Sequence, residues 1–188
     1  MKLVVGITGA SGAVYGIRLL EVLSSISTVE THLTVTRYAE DIIEYETGRK
    51  LDDIRKLVDG FHHVENMSAP IASGSFLTGG MIIAPCSAKS LSAVANSYTD
   101  NLLIRAADVT LKEGRKLVLV VRETPLHIGH IDNMKKAAMM GAIILPPVPA
   151  FYHKPETIDD IVNHTVGKIL DTFSIEHKLF KRWGQEDI

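Results

Sequence analysis

The sequence predicts an α/β protein, a parallel sheet with helices on both faces. Two observations carry that reading. Apolar, β-branched runs of strand length alternate along the chain with runs of helical period, the signature of successive βαβ units. The first such run also ends in a glycine-rich turn, Gly9-Ala10-Ser11-Gly12, that opens a helical stretch, as first βα turns of this architecture do.

The elements follow in order. Residues 2–8 are apolar and β-branched and read as a buried strand, with 9–12 as its turn. Over 13–23, Ile17, Leu20 and Leu23 fall on one helical face. Residues 31–36 alternate polar and apolar, the period of a second strand. Helices are expected over 38–46 and 51–58, divided at Gly48. Residues 60–80 are polar and rich in Ser, Gly and His, and read as one long loop of a length that is usually functional. A short buried strand over 81–84 is expected to stop at Pro85. Helices over 91–96 and 102–112 precede an apolar strand at 116–121. A helix over 131–140 ends at Gly141, and a strand over 142–145 stops at Pro146-Pro147. The last helix spans 157–173, with Thr157 or Asp159 placed to cap it. The charged tail carries Phe180 and Trp183, whose aromatic rings favour docking on the body.

The 188 residues suffice for one domain, 1–188, with a real core. With 46% apolar and 22% charged residues, the composition is that of a soluble globular protein. A formal net charge of −2 gives no overall pull toward nucleic acid or an anionic membrane, so any anion must be met by a local basic cluster. Cys86 is the sole cysteine, which excludes an internal disulfide and a cysteine metal cluster and fits a reducing, cytoplasmic setting. Glycines cut the N-terminal apolar run too soon for a signal peptide, and no stretch reaches the length of a transmembrane helix.

Ligands of doubly wound sheets bind beyond the carboxyl ends of the strands, which selects residues 9–12, 36–37, 85–90, 122–130 and 146–154. The Gly9 to Gly12 turn lets backbone approach a phosphate at a helix N-terminus with free N–H groups, and Ser11 adds a hydroxyl. Its spacing is not that of a dinucleotide fingerprint, and strand two ends in Thr36-Arg37 rather than in an acidic ribose partner. Ser87, Lys89 and Ser90 place two hydroxyls and an ammonium at a helix start, suited to a phosphate or a flavin edge, and equally to a Ser N-cap beside an exposed Lys. Arg105 and Lys112 share a helix face with Asp108 between them, most simply a solvated charged face. Arg122 and Glu123 directly follow an apolar strand, where charges cost free energy unless they serve a ligand or partner. Three prolines stiffen the loop that presents Tyr152, a phenol able to bind phosphate. His127 and His130 have no evident third ligand, and with His62-His63 they read as ordinary surface or core histidines rather than a metal site.

GITGASGAVYG, PIASGSF, PCSAKSLSAV, RAADVTLKEGRKLVLVVRETPL and LPPVPAFYH together resemble the UbiX-type flavin prenyltransferases in order and spacing, over nearly the whole chain. The resemblance implies a flavodoxin-like (Rossmann-like) fold assembled into a homododecamer. It implies a transferase that joins the dimethylallyl group of dimethylallyl phosphate to N5 and C6 of reduced FMN, making prenylated FMN for a UbiD-type decarboxylase. By resemblance, Gly9, Ala10, Ser11, Thr36, Ser87, Ala88, Lys89, Ser90, Arg105 and Arg122 match FMN-binding positions. Tyr152 and Lys168 match positions that hold the phosphate of dimethylallyl phosphate. Ser11, Glu46, Lys112 and Glu123 match catalytic positions around the reacting centre. Thr36 stands where many members have Ser, Lys168 where many have Arg, and Met67 where some carry an aromatic. No metal is implied: Lys112, Tyr152 and Lys168 would neutralise the leaving phosphate, and Glu123 or the released phosphate would take the proton lost at ring closure.

Three rival readings fit less well. Flavin-dependent cysteine decarboxylases share this fold, but they carry a PASANT-like motif where this chain reads PCSAKS, and an early His where the first here is His32. A non-catalytic FMN carrier, or an accessory subunit of a decarboxylase, has no use for cations beyond those that hold one FMN phosphate. An NADP-binding reductase using Arg37 would need a different glycine spacing.

Overall fold

Six parallel strands make one sheet in the computed structural model, which describes residues 1–184; residues 185–188, which close the expected domain, lie outside the described residues. The strands are β1 (Lys2–Ile7), β2 (Glu30–Val35), β3 (Gly60–Phe61), β4 (Gly80–Cys86), β5 (Lys116–Val121) and β6 (Ile143–Ile144), in the spatial order β3-β2-β1-β4-β5-β6. Without the two-residue edge strand β3 this is the flavodoxin-like order. The chain winds outward from β1 in one direction, then returns past it to β4. The crevice between β1 and β4 is therefore the topological switch point, where such folds place a ligand.

Alternation along the strands sends side chains to two cores. Leu3, Val5, Ile7, Leu33, Ile82 and Val118 face α1 (Ala13–Ser24), α2 (Arg37–Thr47), α3 (Leu51–Arg55) and α7 (Ile158–Thr172). Val4, Met81, Ile83, Leu117 and Leu119 face α4 (Ala88–Ala95), α5 (Leu102–Lys112) and α6 (Ile128–Met139). Burial on both faces explains why these strands read as apolar runs. Among the described residues no helix is long and apolar enough to cross a membrane.

Several boundaries differ from the sequence reading, each for a local reason. β4 does not stop at Pro85: it runs through to Cys86, with a register shift against β5 between Ile83 and Cys86 that absorbs the missing donor. The Pro85 carbonyl is used as well, accepting from the Thr8 amide at 3.3 Å and the Thr8 hydroxyl at 2.8 Å. The 60–80 loop contains β3 and a 3₁₀ turn at Pro70–Ala72, both too short to leave a periodic signal. α6 begins at Ile128, capped by His127, whose Nδ1 accepts from the Gly129 amide at 3.0 Å; a His cap is not a usual start signal. At α7 the cap is Thr157, in a capping box with Asp160.

Gly16 sets how close α1 lies to the sheet. A Cβ there would collide with the Ala84 carbonyl oxygen on β4, a backbone atom that cannot move aside without bending the strand. Gly16→Ala is expected to lower stability by about 1–3 kcal/mol, read as a lower thermal midpoint. An unchanged midpoint would mean that α1 can lift off β4 at no cost.

Candidate active site

A cavity of about 720 Å³ opens at the carboxyl ends of the central strands. Its walls come from separate elements: Gly9 after β1, Thr36, Arg37 and Tyr38 at the start of α2, Ser87 to Ser90 at the start of α4, and Glu123 after β5. Glu65 from the long loop and the pair Asp100-Asn101 close the side. Thr8 braces the floor, since its hydroxyl donates to the Pro85 carbonyl and accepts from the Ser87 amide, each at 2.8 Å. That bridge locks the first turn to the fourth strand's turn across the switch point.

The α4 start satisfies both descriptions offered by its sequence. Ser87 Oγ accepts from the Ser90 amide at 3.2 Å, an N-cap, and the two hydroxyls stand 3.1 Å apart, facing the cavity. Lys89 is paired with Asp100 at 2.7 Å. Cys86, beneath them, is fully buried, and burial pushes its thiol up to about 12, so it is a packing residue rather than a nucleophile.

The first turn differs from its expectation. The amides of Gly12 and Ala13 are not free for a phosphate: each donates to a Glu46 carboxylate oxygen at 2.9 Å. Gly12 sits at φ 99°, a left-handed turn that a side chain would strain, and this aims its N–H at Glu46. Glu46, far along α2, thus caps α1 and complements its dipole. Ala10 is nearly buried and Ser11 is exposed at the rim. Arg122 is also exposed, and its amide donates to the Cys86 carbonyl at 3.1 Å. Its charge lies near the Tyr15 phenol, whose pKa burial raises and Arg122 partly lowers. Glu123 is half-buried, and one carboxylate oxygen accepts from the Thr124 amide at 3.0 Å. The strand end is therefore open to the cavity rather than sealed.

Four of the expected residues stand elsewhere. Arg105 pairs with Asp108 at 2.9 Å and donates to the Ala72 carbonyl at 3.2 Å; Lys112 pairs with Glu113. Both line a different cavity, of about 470 Å³, with Ser73 to Ser75 of the long loop. Tyr152 and Lys168 form a third group: the Tyr152 hydroxyl meets His164 Nε2 at 3.1 Å, and Lys168 faces Asp171 at 3.7 Å. The tail docks here through Phe180, 4.7 Å from the His164 ring, while Trp183 is 82% exposed and touches only the edge of Tyr152. Sequence reasoning missed Tyr38, Glu65 and the Asp100-Asn101 pair; only Asn101 carried a signal, as the N-cap of α5. Among the described residues, no group of three or more His, Cys, Asp or Glu is arranged to hold a metal ion.

Asp171 anchors the tail by accepting from Arg182 at 2.7 and 3.1 Å and from His177 at 3.1 Å. Hydrogen bonding from Arg182 holds its carboxyl below the usual range, against an opposing push from burial. A depressed carboxylate stabilises docking above its unfolded value of about 3.9 and loses that contribution as pH falls through the folded value. Acidification below about pH 4 is thus expected to release the tail before the body unfolds. Anisotropy of Trp183, the only Trp, would report it; a signal that changes only with global unfolding would refute the anchor.

A doubly wound sheet with a ligand-sized cavity at its switch point defines a mononucleotide-binding class of protein, and the Flavoprotein family model matches residues 1–170. Flavin prenyltransferase UbiX of Thauera aromatica is 56% identical over 188 residues, covering 100% of this chain and 96% of the relative. A dodecameric FMN-dependent UbiX-like decarboxylase from Escherichia coli O157:H7 superimposes with a TM-score of 0.97 at 50% identity, over 98% of this chain and 100% of that one. AnUbiX (PadA1), solved in complex with FMN and dimethylallyl pyrophosphate, matches with a TM-score of 0.96 at 46% identity, over 99% and 98%. The chain belongs to the flavoprotein family and, within it, to the UbiX-type flavin prenyltransferases.

Proposed function

We propose that this chain is a flavin prenyltransferase that joins a dimethylallyl group from dimethylallyl phosphate to N5 and C6 of reduced FMN. The observation that carries the reading is near-complete structural identity, at TM-score 0.96, with a relative solved with FMN and dimethylallyl pyrophosphate. The cavity supports it, because about 720 Å³ suits a ligand of flavin size. Gly9, Ala10 and Ser11, the hydroxyls of Thr36, Ser87 and Ser90, the Ala88 and Lys89 backbone, and Arg105 and Arg122 are the residues we assign to the flavin.

Bound flavin supplies the two nucleophilic ring positions. The chain's residues supply the rest. Lys112, Tyr152 and Lys168 neutralise the departing phosphate; at ring closure the middle carbon of the allyl double bond takes up the proton released at N5, and Glu123 takes the proton lost from C6. Glu46 holds the α1 start, and with it Ser11, in place. These groups lie apart on one chain, which supports a homo-oligomer, a dodecamer as in the Escherichia coli relative, whose sites draw on more than one copy. A single domain over 1–188, a reducing cytoplasmic setting and delivery of the product to a UbiD-type decarboxylase complete the reading.

Purified protein, reduced FMN and dimethylallyl phosphate should yield a flavin heavier by one dimethylallyl unit in mass spectrometry. FMN bound without a mass change would leave a flavin carrier, and tighter binding of NADPH than of FMN would remove the flavin reading altogether.

A further inference from the structure

His164 lies on α7, 8% exposed, with Nε2 3.1 Å from the Tyr152 hydroxyl. Its ring cannot turn freely. His153 stacks on it with centroids 4.8 Å apart at 6°, and Phe180 packs on it at 4.7 Å. Tyr152, 41% exposed, opens from this clamp to a cavity that it shares with Lys154, Lys181 and Arg182 and with one carboxylate, Glu156.

A phenol has one hydrogen to donate. If Nε2 accepts that hydrogen, Tyr152 offers only lone pairs outward and repels a phosphate oxygen. If Nε2 carries a hydrogen and donates it, the phenolic hydrogen is freed, and the bond it makes to an anion is strengthened by the one it accepts. We propose that His164 is a positioning residue for the phosphate of the substrate: it donates to the Tyr152 oxygen, turns the phenolic hydrogen toward the phosphate, and gains a proton as that anion binds. The inference rests on the reading of Tyr152 as a phosphate-holding residue.

The charges around the ring give the proton uptake its direction. Lys168 and Asp171 face it from its own helix, His153 and Tyr152 from the preceding loop, and His177 and Arg182 from the tail through Asp171. On the α1 side, Arg18 donates to Asn163, the neighbouring residue, at 2.8 Å. Burial first, then His153 and Lys168, hold His164 below the usual histidine range, with Asp171 opposing. A phosphate dianion beside Tyr152 reverses the sign of that local field and favours the charged ring. Binding should therefore tighten as pH falls toward the histidine range, until the phosphate itself takes a proton near pH 6, an effect common to every variant.

The test measures KM for dimethylallyl phosphate across pH, alongside calorimetry of its binding in buffers of different ionisation enthalpy, which counts protons. His164→Phe keeps the ring and loses the donor: KM should rise about tenfold with kcat little changed. His164→Gln supplies a donor that does not titrate. It should restore KM at alkaline pH but lose both the tightening on acidification and the proton uptake. FMN titration and the thermal midpoint establish that each variant is folded. An unchanged KM in His164→Phe, while Tyr152→Phe raises KM, overturns this inference alone. A wild-type pH profile or proton count in His164→Gln also overturns it. An unchanged KM in Tyr152→Phe overturns the phosphate-holding reading beneath it.

Discussion

Glu123→Gln should slow formation of prenylated flavin by about 10²–10⁴-fold, the usual scale for loss of a general base, and leave FMN binding nearly intact. Among the described residues, Glu123 is the one carboxylate that both follows β5 and lines the cavity at the switch point, so the open strand end presents it toward a bound ligand. Its carboxylate already accepts from the Thr124 amide at 3.0 Å, which fixes one oxygen and leaves the other to take a proton. Glutamine keeps that hydrogen bond and the side-chain volume and removes only the basic lone pair. Breaking the allylic C–O bond needs no base on the protein, so phosphate release should persist in the first turnover while the ring-closed product fails to appear. The open N5 adduct and the ring-closed product are isomers of equal mass, so chromatography and proton NMR of the flavin, which show whether C6 still carries its hydrogen, are run beside a parallel phosphate assay to separate the two. Product at the wild-type rate would make Glu123 structural and leave released phosphate as the base.

The layout of the sheet was legible because burial on both faces writes itself into the sequence as apolar runs at 2–8, 81–84 and 116–121. Features that depend on contacts between distant residues were not. β3 is two residues paired to Leu33 and its neighbour, with no periodicity to read. Pro85 signals a strand end locally, and only the register shift against β5 keeps it in the sheet. The cap of α1 by Glu46 spans 34 positions, so no capping box announces it, and the first turn reads from sequence as an open anion cradle. Four of the five carboxyl-end segments converged as the fold rule requires, while 146–154 lines a separate cavity with Tyr152; Arg105 and Lys112 were recognised only through a resemblance. Their separation from the cavity becomes visible in three dimensions alone.

Lys112→Ala should reduce the rate of phosphate release itself by about 10²–10³-fold, since it removes a cation from the departing charge, and mixing experiments should show that this cation comes from a neighbouring copy. α5 runs antiparallel to the sheet it covers. Leu102 starts it beside the cavity, and eleven residues carry it about 16 Å, so Lys112 ends only four positions before β5 begins at Lys116. Lys112 therefore sits at the amino edge of the sheet, opposite the carboxyl-end cavity that holds Glu123, and one chain cannot bring the two together by side-chain motion. A site that uses both must borrow one from a second subunit. Co-expressing Lys112→Ala with Glu123→Gln in equal amounts tests this directly. With both residues from the same chain, every site carries one defect and the mixture is as inactive as its parts. With residues from different chains, random assembly pairs a native Glu123 with a native Lys112 in about a quarter of sites, and product formation should recover to about that fraction. Recovery to that level places the active site between subunits. No recovery in mixed oligomers of native size would return Lys112 to the solvated helix face that its pairing with Glu113 resembles.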